Sequence, residues 1–318
     1  MVTHQTAIMS EFDLIEHIRS RFAEMPSNGF EGIGDDCATL PIGNGEALVF
    51  TSDMLNEGIH FLADRISAHD IGYKSVMVNV SDIAAMGATP VATLLSVALP
   101  KERTQEWAEE FIEGYRCASD ELGISLIGGD TTSSQSGIVI SVTAIGRAPQ
   151  AHIKRRSAAR VGDHILVGGV LGSSAKGLRD ILNGACDTEM AKIHCRPCAQ
   201  VKEGVLLGSK SEVHAMMDIS DGLASDLRHI LRASNVGAVV DLDSVPTSTT
   251  IEDALCGGED YKLLLTVDSK AVDRIAEECY AKTGSRLYDI GIIVEGNKIE
   301  WRRDNERIEA TFRGYEHF

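Results

Sequence analysis

Short clusters centred on acidic residues recur far apart along the 318-residue chain. They are Gly32-Ile33-Gly34-Asp35-Asp36, Thr51-Ser52-Asp53, Ser81-Asp82, Gly128-Gly129-Asp130, Asp218-Ile219-Ser220-Asp221 and Gly257-Gly258-Glu259-Asp260. Most lie at the end of an apolar run and are flanked by Gly, Ser or Thr. A fold must either leave each as an ordinary turn or gather them. Gathering several carboxylates costs several kcal/mol per buried ion unless cations neutralise them. Small neighbours let the backbone turn and leave room for water and phosphate, and Mg²⁺ takes oxygen ligands, commonly carboxylates plus substrate phosphates. Gathered by folding, the set reads as a multi-metal phosphoryl-transfer site.

The length accommodates two domains of ordinary size, and a hydrophobic content of 43% supports a packed core. The formal net charge of −17 argues against a nucleic-acid or anionic-membrane binder and favours metal-mediated contact with phosphates. No apolar run reaches the ~18–20 residues of a membrane span. The opening Met1-Val2-Thr3-His4-Gln5-Thr6-Ala7 lacks the basic and apolar regions of a secretory signal. Seven scattered cysteines fit free thiols in a reducing cytoplasm. Cys195 and Cys198 form a C-x-x-C after His194, but no second pair supports zinc or redox chemistry.

Apolar periodicity predicts a helix over Glu11–Phe22 and a buried strand over 47–52 that delivers Asp53 at its end. A helix from Asp70 to Met86 is closed by Gly87, with Ile71, Ser75, Val78, Asp82 and Ala85 on one face. Asp is a poor helix-interior residue, so Asp82 on that face requires an explanation. A strand over Val91–Leu99 precedes an amphipathic helix over Thr104–Leu122. In that helix Trp107, Phe111 and Tyr115 form a core stripe. Ile124–Ile127 is expected as a short strand running into Gly128-Gly129-Asp130, and Gly137–Gly146 as another strand. Pro149–His152 reads as a linker, dividing residues 1–149 from 150–318. The second half opens with the strand His164–Val167. It continues with a strand into Asp218, a helix over Leu223–Ala233 and strands near Ala238–Leu242 and Tyr261–Val267. Val80-Ser81-Asp82-Ile83-Ala84 and Ile219-Ser220-Asp221-Gly222-Leu223-Ala224 are a loose internal echo, too short to prove a repeat.

No P-loop or protein-kinase signature is present. Gly168-Gly169-Val170-Leu171-Gly172-Ser173-Ser174-Ala175-Lys176-Gly177 suits either backbone approach to a phosphate or a tight structural turn. Asp35-Asp36 reads as metal ligands or as a solvated turn. Thr51-Ser52-Asp53 and Asp218/Asp221 read as ligands or as helix caps and turns. Recurrence of one pattern, with Asp82 where no cap is needed, favours the metal site. Arg156, in the run Lys154-Arg155-Arg156, is either a bidentate phosphate clamp or part of a solvated linker. His60 is either substrate-facing or structural. Tyr315 stacks on an aromatic substrate or packs in a core or interface.

Over nearly its whole length the sequence resembles the thiamine-monophosphate kinase family. The resemblance rests on Gly32–Asp36, Thr51-Ser52-Asp53, Asn79–Ala88, Ile127–Thr132, Asp218–Leu223, Gly257–Tyr261 and the terminal Gly314-Tyr315-Glu316-His317-Phe318. It implies an α/β (α+β type) chain with the two-domain aminoimidazole ribonucleotide synthetase-like fold, whose N-terminal domains pair in a homodimer. It also implies γ-phosphoryl transfer from ATP to thiamine phosphate. By position, Asp36, Thr51, Ser52, Asp53, Asp82, Asp130, Asp218 and Asp221 match Mg²⁺ ligands. Gly129, Arg156 and Ser220 match ATP contacts, and His60, Glu259 and Tyr315 match the thiamine-phosphate site. Val80 stands where Leu is frequent in the family, and Ala158 where Gly is common, so the loop after Arg156 is expected to differ.

Thiamine phosphate, with a second pKa of about 6, is mostly a dianion at neutral pH and already a nucleophile. The expected obstacle is its repulsion from the ATP polyphosphate, which several Mg²⁺ ions relieve. Direct transfer is expected, without a phosphoenzyme and without a clear protein general base. A related synthetase of the same superfamily and a non-catalytic Mg–nucleotide sensor are the competing readings. The segment 1–30 lacks the reactive Cys expected of a selenophosphate synthetase.

Overall fold

The computed structural model describes residues 10–315. The opening segment that bears on a secretory signal, and residues 316–318 of the terminal motif, lie outside them. The order of elements begins α1 (Glu11–Phe22), β1 (Ala38–Gly43), β2 (Glu46–Asn56), α2 (Ala68–Ala85), β3 (Thr89–Pro100), α3 (Gln105–Leu122), β4 (Ser125–Ser134) and β5 (Val139–Pro149). It continues through β6 (His164–Val167), α4 (Ser173–Leu182), α5 (Glu189–Cys195), α6 (Val201–Gly208), β7 (Val213–Asp218), α7 (Leu223–Ser234) and β8 (Gly237–Asp241). Last come α8 (Ile251–Cys256), β9 (Leu263–Val267), α9 (Val272–Thr283), β10 (Tyr288–Val294), β11 (Ile299–Arg303) and β12 (Glu306–Ile308). Strands β1–β5 form one mixed sheet in the order β1-β2-β5-β3-β4, and β6–β12 form a second in the order β12-β11-β8-β10-β6-β9-β7. The expected mixed α/β class is what the chain adopts.

Helix α2 joins the two halves. Ser67 caps its start by accepting from Asp70 N at 3.0 Å, and Gly87, at φ +75°, supplies the left-handed residue that ends it. Nearly every side chain along it is buried, because it packs on β2, β3 and β5, on α3, and on α6 and β7 of the second half. The packing on α3 is backbone to backbone. A Cβ on Gly72 would stand 2.1 Å from Phe111 O, and one on Gly114 would stand 1.8 Å from His69 O. On α3, Trp107 and Phe111 stack with centroids 5.5 Å apart, and buried Tyr115 donates to Thr93 Oγ1 at 2.7 Å. The stripe is therefore core, as its spacing predicts.

Two local expectations are corrected. Asp53 does not end its strand, because β2 continues to Asn56 by pairing with β5 down to the register Asn56↔Val139. The strand expected over Ile124–Ile127 is the ten-residue edge strand β4. It holds Gly128-Gly129-Asp130 in its interior, paired in parallel with β3. The two Ser-Asp echoes, left open as a repeat by their shortness, occupy different contexts, mid-helix for Asp82 and the turn before α7 for Asp221. Among the described residues no helix is long and apolar enough to cross a membrane.

Gly114→Ala inserts a methyl where the His69 carbonyl now sits. It should destabilise the fold by about 1–3 kcal/mol, as overpacked cores do, measured as a lower urea midpoint with unchanged slope. An unchanged midpoint would show that α2 and α3 separate at no cost.

Candidate active site

Three of the six clusters meet at the seam between the halves. Asp36 arrives on the turn before β1, Asp82 from the body of α2, and Asp218 from the end of β7. One carboxylate oxygen of each lies within 4.8 Å of the others. Thr51, on β2, donates to Asp82 Oδ2 at 2.5 Å, and Ser81 donates to Asp218 Oδ2 at 2.5 Å. Asn79 holds β2 in place by accepting from Asp53 N at 2.9 Å. This explains the polar side chains on α2: Asn79 aligns the strand, Ser81 reaches the second half, and Asp82 faces the cluster. Asp82 and Asp218 cap no helix.

The charges are crowded. Burial, followed by the neighbouring Asp53, Asp218 and Asp36, pushes Asp82 well above the usual carboxylate range. Burial and then Asp36 raise Asp218 to about 7 and Asp53 to about 6. Burial also raises Asp36, against the opposing pull of Arg156. Arg156 Nη2 donates to Asp36 Oδ1 at 2.6 Å. Burial opposes the Arg156 charge, but Asp36 outweighs it and the guanidinium stays protonated. The basic run is not a solvated linker. Buried Lys154 donates to the carbonyls of Lys210 and Val213 at 2.6 and 2.8 Å, and Arg155 pairs with Glu31 and Asp35. Asp36 Oδ2 is buried with no hydrogen-bond partner. An all-oxygen donor set with an orphaned carboxylate oxygen fits a hard divalent cation. Cys37, absent from the sequence-level candidates, borders the cluster. Burial and then the aspartates push its thiol up, so it stays protonated.

Strand alternation turns Ser52 away from Thr51 and Asp53, and its hydroxyl accepts from Thr143 at 3.2 Å. Gly129 and Asp130 lie on the exposed edge strand. The register Asp53↔Val142↔Leu95↔Gly129 places Gly129 three strands across from Asp53, roughly 14 Å at ordinary strand spacing. Gly129 meets the Leu95 carbonyl so closely that a Cβ would stand 1.7 Å from it.

Asp221 joins a different group. Its carboxylate lies with Asp226 and His229 of α7, again within 4.8 Å. The capping expectation runs in reverse there, because Asp226 Oδ2 accepts from the N–H groups of Asp221 and Gly222 at 3.2 and 3.1 Å. Asp226 and His229 carried no recognisable cluster in the sequence; only their i, i+3 spacing on a helix was visible. The glycine-rich turn before α4 is also already satisfied. Asp260 accepts from Gly172 N at 2.7 Å and from Ser174 N at 3.3 Å, which makes that turn structural.

His60 and Glu259 approach one another from the two halves. His60 Nδ1 accepts from Asn56 N at 3.0 Å. Burial opposes the Glu259 charge, but Lys74, His194 and His60 together hold its carboxyl below the ordinary value. Ser220 O accepts from Glu259 N at 2.7 Å, and Tyr315, half exposed, donates its N–H to Asp221 O at 3.0 Å. His194 engages Ser174 and Glu259, beside a buried Cys195 and an exposed Cys198.

The profile of the AIR synthase related protein, N-terminal domain, matches residues 34–148, and that of the C-terminal domain matches residues 160–303. Two α/β units sharing an acidic seam thus define an AIR synthase related protein. The chain is 37% identical over 282 residues to the thiamine-monophosphate kinase of Buchnera aphidicola subsp. Acyrthosiphon pisum, covering 84% of this chain and 85% of that protein. It is 35% identical over 328 residues to that of Salmonella typhimurium, covering 97% and 98%. A solved structure of AaThiL complexed with AMPPCP and TMP superposes with a TM-score of 0.84 at 30% identity, covering 99% of this chain and 100% of that one. The chain belongs to the thiamine-monophosphate kinase family and is a kinase.

The raised carboxylates fix a sign. Between the unperturbed value of 3.8 and about 6–7, the folded protein binds protons that the unfolded chain has released. Without divalent cations, stability should therefore fall as pH rises from about 4 to about 7. Added Mg²⁺ should raise the melting temperature more at pH 7.5 than at pH 5. Thermal unfolding in chelator and in Mg²⁺ across that range checks this; equal Mg²⁺ shifts at both ends would contradict it.

Proposed function

We propose that this kinase transfers the γ-phosphoryl group of ATP directly to thiamine phosphate, giving thiamine diphosphate. The observation that carries the reading is the convergence of Asp36, Asp82 and Asp218 beside Arg156 at a seam built by both halves. Asp36, Thr51, Asp53, Asp82 and Asp218 are the proposed Mg²⁺ ligands there, Ser52 acts through its main chain, and Asp221 belongs to a further ion. When bound, Mg²⁺ neutralises polyphosphate charge and so permits approach of an anionic acceptor. Arg156 supplies a fixed guanidinium for the ATP phosphates, and Ser220 and Gly129 are the other proposed ATP contacts. His60, Glu259 and Tyr315 are assigned to thiamine phosphate, whose own phosphate oxygen is the nucleophile. The likeness to AaThiL complexed with AMPPCP and TMP supports both substrates. Residues 1–149 and 150–318 are proposed as the two domains. The enzyme is placed in the cytoplasm, with no nucleic-acid or membrane partner.

A homodimer is part of the proposal. Met54, Val91, Leu126 and Ile127 of the first sheet are apolar side chains each more than 40% exposed, surface that pairing would cover. Gly129 and Asp130 stand on its exposed edge, far from Asp53 of the same chain, so pairing is their proposed route to the partner's nucleotide.

Chromatographic assay with Mg·ATP should show thiamine diphosphate formed from thiamine phosphate and nothing formed from free thiamine. ATP binding without turnover of thiamine phosphate would instead favour a related synthetase or a nucleotide sensor. For the dimer, inactive Asp130→Asn and Asp218→Asn variants should regain activity when co-refolded, because one hybrid site is then intact. No recovery from verified hybrid dimers would place Asp130 in the site of its own chain.

A further inference from the structure

Lys74 is a lysine of α2 with only 1% of its side chain exposed. Its ammonium donates to the His60 carbonyl at 3.3 Å and lies 2.8 Å from Glu259 Oε1. A buried ion pair is weak evidence of a role in stability, since apolar side chains of similar volume often replace one without loss. The surroundings suggest what this pair is for. Glu259 Oε2 lies 3.3 Å from His194 Nδ1, which is itself 2.9 Å from Ser174 Oγ. Burial and Lys74 push His194 down to about 4, so it is neutral at pH 7. Closeness to a carboxylate then selects the tautomer with its proton on Nδ1. The cluster of one ammonium, one carboxylate and one neutral imidazole sums to zero charge.

The backbone also aims Glu259 at this cluster. Glu259 has φ +64° and Tyr261 φ +49°, a left-handed region that side-chain-bearing residues rarely adopt. The turn is pinned by Glu259 N donating to Ser220 O and Tyr261 N donating to Ile219 O, at 2.7 and 2.8 Å. A strained turn on the second half thus presents a carboxylate to an ammonium on the first, and the same ammonium grips the loop that carries His60.

We propose that Lys74 is a positioning residue for the acceptor substrate, holding Glu259 and the His60 loop at a fixed spacing across the seam. This rests on the reading that His60 and Glu259 face thiamine phosphate. An oriented, ionised Glu259 accepts hydrogen bonds from the aminopyrimidine of that substrate. With its charge balanced by Lys74, it does so without adding net repulsion against the substrate's phosphate.

The test is steady-state kinetics of Lys74→Met, Lys74→Gln, Glu259→Gln and the Lys74→Met/Glu259→Gln double variant. Lys74→Met should raise KM for thiamine phosphate at least about tenfold, leaving KM for ATP and kcat within about threefold, the pattern of lost ground-state binding. The double variant should be no worse than Glu259→Gln alone, because the two residues act as one unit. Should Lys74→Met not fold, Lys74→Gln, which keeps a polar donor but is one bond shorter and uncharged, should still raise the acceptor KM selectively. A lowered melting temperature with unchanged acceptor KM in either folded Lys74 variant, or additive effects in the double variant, would overturn the inference. If Glu259→Gln itself leaves the acceptor KM unmoved, the acceptor assignment fails first and the role of Lys74 falls with it.

Discussion

Asp36, Asp82 and Asp218 converge from three distant parts of the chain, and Asp53 stands near enough to raise Asp82 further. Arg156 is bound to one of them, through Asp36 Oδ1, and Asp36 Oδ2 has no partner. Such crowding opposes folding, because buried like charges repel and cannot all ionise near neutral pH. Cations bound there would relieve the repulsion, so the proposed Mg²⁺ ions would stabilise the fold as well as serve the reaction. In the proposed reaction the same ions would also offset the repulsion between two anionic substrates.

The scaffold that holds this arrangement is α2 and its neighbours. The glycine contacts at Gly72 and Gly114 bring α2 against α3. At the other end of α2, a Cβ on Gly204 of α6 would stand 2.2 Å from the Ala84 carbonyl. The helix is therefore fixed on both sides, and one element presents Lys74, Asn79, Ser81 and Asp82 in succession along the seam. The groups proposed for the acceptor and for the metal thus share one rigid support, and their relative positions follow from helix geometry rather than from a loop.

Much of this was legible in the sequence because the signals were local. The bounds of α1 and α3 followed from apolar periodicity, and Asp82 within an apolar helix face was anomalous enough to point to the carboxylate cluster it joins. What escaped was whatever depends on partners distant in sequence. The extension of β2 past Asp53 and the length of β4 come from pairing with β5 and β3, not from their own composition. The Ser52 hydroxyl was grouped with its neighbours, yet strand alternation sends it to the other face. Asp260, one residue from Glu259, looked like part of the same acidic cluster, but it caps the turn before α4. Lys74 and His194 carry no motif at all; only the fold reveals that a buried lysine and a neutral histidine flank Glu259.

The central claim is that the seam carboxylates share charge they cannot hold alone and become fully ionised only with cations. Carbon-13 NMR of carboxyl-labelled aspartates tests it directly, by pH titration of the cation-free protein and of the protein with Mg²⁺ and a non-hydrolysable ATP analogue. At least two aspartates of the cation-free protein should titrate in the region of 6 to 7, as at Asp53 and Asp218, and should be ionised throughout that range once Mg²⁺ and nucleotide are bound. Titration of every aspartate at the ordinary value of about 3.9 in the cation-free protein would contradict it.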